Sequence, residues 1–452
     1  MKLRLLTLAL CTHLGLACAP AQAGKVFLSG GGYDDANTSL FVQGLRKATG
    51  RDSAFTPLIT STANCGSDWA TTVCPRIAVI TASKASYAEG LDAFTNDIPA
   101  TSTSSLKRGY YNLFQTHGFS PKFITAHIDN RAAHSSASTP EGQANIAILN
   151  QADAIWVVGG DQAKVSRTLL NDDGSDTPLA AALRSRWSNG NGAIVMAGDS
   201  AGNHAMNVKM HAAGISYGYL YYGANLHDRA VTDYLTLGDT RDGSSALRYF
   251  ENGGTMKGLG FLPATLLSDT HFDARSGRLG RLVSALRHMG IQQGLGVDEN
   301  TGVLVDTAAQ TAQVYGAGTL TVVDTAGASV QTGTYYKVSG LRVSLLSAGD
   351  RYNYASKVVT SSKALISSRY YTSFYDSPDI FAAYETSKSL TRVVDQTPTS
   401  NIGTAPKPVY SSGPAYPSGA PAIKLRFTRD ASTKGYYSGG KYTVDKVKVD
   451  VY

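Results

Sequence analysis

Ala193-Ile194-Val195-Met196-Ala197-Gly198-Asp199-Ser200-Ala201-Gly202-Asn203-His204-Ala205-Met206-Asn207 decides how this chain is read. Residues 193–197 form a short apolar run, the mark of a buried strand. The run enters Gly198-Asp199-Ser200-Ala201-Gly202 directly, and residues 203–211 carry no Gly or Pro and read as helix. A serine on so sharp a strand-to-helix turn needs small neighbours, because its backbone is strained and close to other elements. The two glycines supply that room, and the turn lifts the Ser200 hydroxyl to the carboxyl edge of a sheet. At the start of the following helix, the N–H of Ala201 can face a developing oxyanion. The same five residues also fit an ordinary glycine-rich β–α turn, so the rest of the chain must separate the two readings.

Outward from this stretch, strand and helix signals alternate. Residues 25–29, 76–81, 122–127 and 154–158 are short continuous apolar runs, and 40–47, 106–117, 141–149 and 179–187 read as helices. Such alternation predicts an α/β fold with a doubly wound, mostly parallel sheet. Ligands on such sheets bind at the carboxyl ends of the strands. The first strand ends in Gly30-Gly31-Gly32, but Asp35 stands where the last glycine of a dinucleotide fingerprint belongs. That excludes a nicotinamide site on this loop.

Further on, residues 264–268 give another strand, running into Asp269-Thr270-His271-Phe272. An amphipathic helix follows over 275–288, with Leu279, Leu282 and Leu286 on one face. Residues 294–299 form a short strand or strand end. Strands and turns continue over 302–360, including 319–323 and 341–346. Beyond residue 365 the composition turns Tyr-, Pro-, Gly- and Ser-rich, with strands at 424–428 and 442–451, so 366–452 reads as a β-rich extension.

The 452 residues are 42% hydrophobic and 17% charged, with a formal net charge of +7. Lys and Arg are dispersed rather than blocked, which argues against a nucleic-acid partner. Lys2 and Arg4, the apolar run 5–17 and Ala21-Gln22-Ala23 have the layout of a signal peptide cleaved after Ala23. After it, no apolar run is long enough to span a membrane, so a soluble protein is expected, secreted or periplasmic. Cys11 and Cys18 would leave with the leader. Cys65 and Cys74 remain, an even pair expected to form a disulfide in an oxidising compartment, adding about 2–3 kcal/mol. Two thiols without a nearby histidine are too few for a metal.

A serine nucleophile needs a base, and the base an orienting carboxylate. His271 ends an apolar strand, and Glu299 ends the next one. His127 also ends a strand. His204 lies one helical turn after Ser200, suited to a supporting role. A structural, hydrogen-bonded histidine is the other reading of His271. The Ser–acid–His order of α/β-hydrolases would need His227 or His288, and neither ends an apolar strand.

Four stretches together carry a resemblance: Gly159-Gly160-Asp161-Gln162; Gly198 to Gly202; Asp269 to Phe272 with Arg275, Arg278 and Arg281; and Gly294 to Glu299. In order and spacing the chain resembles the cyanophycinase branch of the serine peptidases that include aspartyl dipeptidase. The resemblance runs to about residue 360. It implies a flavodoxin-like, class I glutamine-amidotransferase-like core over 24–365. It implies Ser200 as nucleophile, His271 as base, Glu299 as orienting acid, and the N–H groups of Gly160 and Ala201 as oxyanion hole. Asp161, Gln162, Asp269, Arg275, Arg278 and Arg281 would line the substrate pocket, with Lys164 a further candidate. No metal or cofactor is implied. The implied substrate is cyanophycin, a poly-aspartate with arginine on each side-chain carboxylate, released as β-Asp-Arg dipeptides. Three residues depart from the family pattern: Asp199 for threonine, Asn203 for alanine and Thr270 for glutamine. They leave two rivals standing: a relative acting on other aspartyl or isoaspartyl peptides, and an inactive binding or surface protein. Amidotransferase chemistry is disfavoured because it uses a cysteine at the elbow. The oligomeric state, monomer or homodimer, stays open.

Overall fold

The computed structural model describes residues 24–51, 65–99, 107–188, 194–221, 227–229, 231, 254–275, 277–331, 335–407 and 419–452. The leader, with its cleavage site, lies outside them. The first strands are β1 (Lys25–Ser29), β2 (Arg76–Ile80), β3 (Ser120–Ile124), β4 (Ala154–Val157) and β5 (Val195–Asp199). Then come β6 (Lys209–Ala213), β7 (His227–Arg229), β8 (Gly254–Lys257), β9 (Leu266–Asp269), β10 (Gln293–Val297), β11 (Thr301–Asp306) and β12 (Thr311–Gly316). Next are β13 (Thr319–Asp324), β14 (Ser329–Gln331), β15 (Lys337–Ser347), β16 (Arg351–Asn353), β17 (Val358–Thr360) and β18 (Ala364–Leu365). The last are β19 (Ser400–Ala405), β20 (Ile423–Thr428), β21 (Lys434–Ser438) and β22 (Lys441–Val451).

The first sheet runs β17-β16-β12-β11-β1-β5-β4-β2-β3. β1, β5, β4, β2 and β3 are mutually parallel, and β11 closes on β1 antiparallel. The run β3-β2-β4-β5 keeps the flavodoxin-like order, and β1 lies beyond β5. Helices cover both faces, as the alternation predicts. On one face Phe27, Ile77, Val79 and Trp156 pack on α1 (Ser39–Arg46, π-helical), α2 (Tyr87–Thr95) and α3 (Tyr110–Thr116). On the other, Leu28, Ile80, Val157 and Met196 meet leucines of α4 (Pro140–Gln151), α5 (Gln162–Leu169) and α6 (Pro178–Ser188). Successive strand residues point to opposite faces, and both are apolar here because both are covered.

Two expectations need correcting. The helix expected over 203–211 is only α7 (Ala201–Ala205); the chain then turns into β6, which pairs antiparallel with β8. The absence of Gly and Pro permits a helix, but long-range strand pairing takes residues 209–213. The strands before His271 and Glu299 also belong elsewhere. β9 and β10 pair in parallel within a second sheet, β18-β21-β22-β15-β13-β10-β9. One face of that sheet, with Leu295, Val297, Leu320 and Val322, packs into the core of the first. Its other face, with Leu267, Val323, Val343 and Leu345, is covered by α8 (Ser216–Tyr221), α9 (Leu279–Met289) and α10 (Glu385–Val394).

The extension after residue 365 joins this second sheet. β22 pairs with β15 from Val338↔Val451 to Leu345↔Val444, and α10 lays Leu390, Val393 and Val394 on the shared core. Removing it would bare β15 as an unpaired apolar edge. Residues 24–365 produced alone are therefore expected to aggregate, checked by size-exclusion chromatography and circular dichroism. A folded, monomeric fragment would contradict this packing.

Candidate active site

The elbow forms where β5 ends. Ser200 has φ 49°, a left-handed backbone uncommon for serine, and its N–H donates to Ser29 O at 3.1 Å. The turn closes tightly against its neighbours: a Cβ on Gly202 would lie 2.0 Å from the Val157 carbonyl oxygen. Only glycine fits there.

His271 and Glu299 arrive from the second sheet. Ser200 Oγ lies 2.7 Å from His271 Nε2, and His271 Nδ1 lies 2.6 Å from Glu299 Oε1. The loop after β1 makes the meeting possible. His271 N–H donates to Gly30 O, Asn300 N–H to Gly31 O, and Gly30 N–H to Thr301 O. A Cβ on Gly31 would fall 2.3 Å from His271 Cε1, and one on Gly32 2.5 Å from the Glu299 carboxyl carbon. The glycine run that failed as a dinucleotide loop is thus the bed on which the histidine and its acid lie. Asn203 stitches the same seam, donating to Ser29 O at 3.0 Å and accepting from Ser268 Oγ at 2.6 Å.

Burial lowers the His271 pKa, and the nearby Arg278 and Arg275 charges lower it further; Glu299 pulls the other way. The imidazole is therefore neutral, fit to accept a proton from Ser200. Gly159 packs against the serine, a Cβ on it falling 3.1 Å from Ser200 Cβ. Ser83 fixes the next peptide: its hydroxyl donates to Gly159 O at 2.8 Å, and its carbonyl accepts Asp161 N–H at 3.1 Å. Among the described residues, neither Gly160 N–H nor Ala201 N–H has a protein acceptor. Two donors beside a serine with a neutral base are what an oxyanion site requires.

The residues expected to line a pocket divide into two groups. Asp161 caps α5, accepting Ala163 N–H at 2.9 Å, and Lys164 is buried. Gln162 donates to the His211 and Ala212 carbonyls, tying α5 to β6. Asp269 is fully buried, with Arg281 Nε 2.7 Å from Oδ2 and its Nη2 on Oδ1, and His204 Nε2 3.0 Å away. Burial alone would raise that carboxyl, but the Arg281 charge, with His211, holds it well below the usual range. Asp269 and Arg281 therefore face each other and not a ligand, which corrects the expectation that both line the pocket. Thr270 is also buried, and its carbonyl accepts Arg278 Nη1 at 2.7 Å. Arg275 and Arg278 are less enclosed: Arg275 donates to Glu299, with 62% of its side chain exposed, and Arg278, 20% exposed, has Nη1 3.6 Å from Asp269 Oδ1.

Sequence reasoning missed three contributors. Ser83 lies on the loop after β2 and carries no motif. Asp298 accepts the N–H groups of Asp273, Ala274 and Glu299, and burial pushes its carboxyl up to about 6. Asp199 accepts from Ser29 Oγ at 2.6 Å, and burial pushes it up to about 6. Cys65 and Cys74 form the expected disulfide. Among the described residues there is no cluster of metal-binding side chains, and no helix is long and apolar enough to cross a membrane.

The fold and this side-chain order are those of serine peptidases on an α/β scaffold. A cyanophycinase of Synechococcus elongatus is 30% identical over 276 residues, 59% of this chain and 71% of that protein. That of Thermosynechococcus vestitus gives the same figures. That of Trichormus variabilis is 29% identical over 228 residues, 49% of this chain and 64% of its own. The chain belongs to the cyanophycinase family. No family model matches it. Among solved structures, a peptidase from an acI-B1 Actinobacterium aligns over 75% of this chain and all of its own, at 14% identity and a TM-score of 0.40. A putative peptidase E from Listeria monocytogenes EGD-e covers 66% of this chain and all of its own, at 9% identity and a TM-score of 0.33. At these scores neither likeness carries weight.

The electrostatics set a pH test. A base at His271 must be neutral to act, and its pKa is lowered, so with His271 as base the acid limb of kcat/KM on a peptide substrate should lie below the ordinary imidazole value. Arg275→Ala removes one depressing charge and frees Glu299 to hold the imidazolium. The acid limb should then move up by about half a unit to one unit. An unmoved limb would contradict this account.

Proposed function

We propose that this protein is an exported serine exopeptidase that cleaves cyanophycin to β-Asp-Arg dipeptides. The observation that carries the reading is the hydrogen-bonded chain from Ser200 through His271 to Glu299, set at a strained elbow with two cations at its mouth. Ser200 Oγ attacks a backbone carbonyl of the aspartate chain, and His271 Nε2 takes its proton. The oxyanion is held by Gly160 N–H and Ala201 N–H. As the C–N bond breaks, His271 returns the proton to the leaving amine. Water, deprotonated by the same imidazole, then splits the acyl-enzyme and restores Ser200. Glu299 keeps the imidazole oriented and stabilises its charged form. Arg275 and Arg278 bind the carboxylates of the substrate, for which a planar guanidinium is well shaped. The leader ending at Ala23 and the Cys65–Cys74 disulfide support export to the periplasm or beyond.

A wider reading, hydrolysis of other aspartyl or isoaspartyl peptides, is favoured by one observation. Asp269, the acid expected in the substrate pocket, is committed to Arg281. Mass spectrometry of products from purified cyanophycin separates the readings. The wild type should release β-Asp-Arg, and Ser200→Ala should be slower by at least about a thousandfold. Release by both proteins would remove Ser200 as nucleophile. No release from cyanophycin, with α-aspartyl dipeptides cleaved, would move the substrate to the wider class.

A further inference from the structure

With Asp269 committed, another group must face the arginine side chain of the proposed substrate, and the C-terminal extension brings one. Tyr384 lies just before α10, and the residue is 58% exposed. Its backbone is left-handed, φ 64° and ψ 6°, an outlier for a bulky aromatic residue. Of the other described non-glycine residues with positive φ, Ser200, His271 and Asn300 lie at the site, and Gln310, Lys357 and Lys446 lie away from it. Strain of this kind costs about 1–3 kcal/mol and persists only where the surroundings over-determine it.

Here they do. Tyr384 N–H donates to Asp273 O at 2.7 Å, and the Asp273 carboxylate accepts Thr386 N–H at 3.3 Å and Ser387 N–H at 2.8 Å. Asp273 is two residues beyond His271, and its own N–H donates to Asp298, the neighbour of Glu299. Gly277 N–H donates to Phe381 O at 2.8 Å, closing the other side of the clamp. The extension is thus bolted to the loop carrying His271, with one aromatic ring left outward. After its own burial, the groups that raise the Tyr384 hydroxyl are the carboxylates Asp298, Glu299 and Asp273. The exposed ring presents a π face beside this loop, and such a face favours a planar cation.

We infer that Tyr384 is a specificity-determining residue, contributed by the extension, whose ring stacks on a guanidinium of the substrate beside Glu299. This rests on the proposed arginine-bearing substrate. The test measures binding by calorimetry in the Ser200→Ala protein, using a (β-Asp-Arg) oligomer and its citrulline counterpart, which has the same shape and no charge. Ser200→Ala should bind the arginine oligomer more tightly. Adding Tyr384→Ala should weaken that binding about tenfold, the size of one partly desolvated cation–π contact, and change citrulline binding less than twofold. Tyr384→Phe should bind like tyrosine. Tyr384→Gly should weaken binding as Ala does and melt at or above the parent temperature, because glycine takes this backbone without strain. An arginine preference that survives Tyr384→Ala, or an equal loss with both oligomers, would overturn the role of Tyr384 alone. A fall in the melting temperature of the glycine variant would assign the ring to the fold instead. If Ser200→Ala does not distinguish arginine from citrulline, the proposed substrate falls and the role of Tyr384 with it.

Discussion

The site depends on a seam between two sheets. Ser200 ends a strand of the first sheet, while His271 and Glu299 follow strands of the second. A proton can pass between them only if the seam holds their separation within a few tenths of an ångström. Backbone hydrogen bonds from Gly30 and Gly31 set it, and Asn203 closes it from the elbow side. Bonds of this kind, fully buried, are expensive to break, because each lost partner leaves a polar group without water. Asn203 thus gives this chain a polar stitch where its two halves meet.

Charge is handled with the same economy. Asp269, Arg281, His204 and His211 gather beneath α9, with both acid oxygens and the guanidinium buried. Two ions taken out of water are tolerable only when they satisfy each other closely. The pair ties α9 to the end of β9, and Arg275 and Arg278 lie on the chain just before that helix. Burial first, and their charges after it, keep His271 neutral.

Much of this was legible in the sequence, for definable reasons. Short continuous apolar runs mark strands covered on both faces, and β1, β4 and β5 lie within two residues of where the runs place them. The elbow shows because the close backbone contacts at Gly198 and Gly202 leave no room for a side chain. His271 and Glu299 show because each ends an apolar run. Sheet membership does not show: β9 and β10 look like any buried strand, and nothing local says which neighbours they take. The direction in which Asp269 and Arg281 turn is likewise a property of packing. α10 did leave a signal, with Leu390, Val393 and Val394 at helical spacing, but a Ser- and Thr-rich setting hid it. Tyr384 left none, since its place beside Glu299 exists only after the extension has folded onto the second sheet.

The central claim is that Ser200 is activated by His271 across that seam. Labelling with a fluorophosphonate, followed by peptide mapping, tests it without knowledge of the substrate. The account predicts a single label on Ser200 and labelling at least about a hundredfold slower in His271→Ala. A label on another residue, or undiminished labelling of Ser200 in His271→Ala, would contradict it.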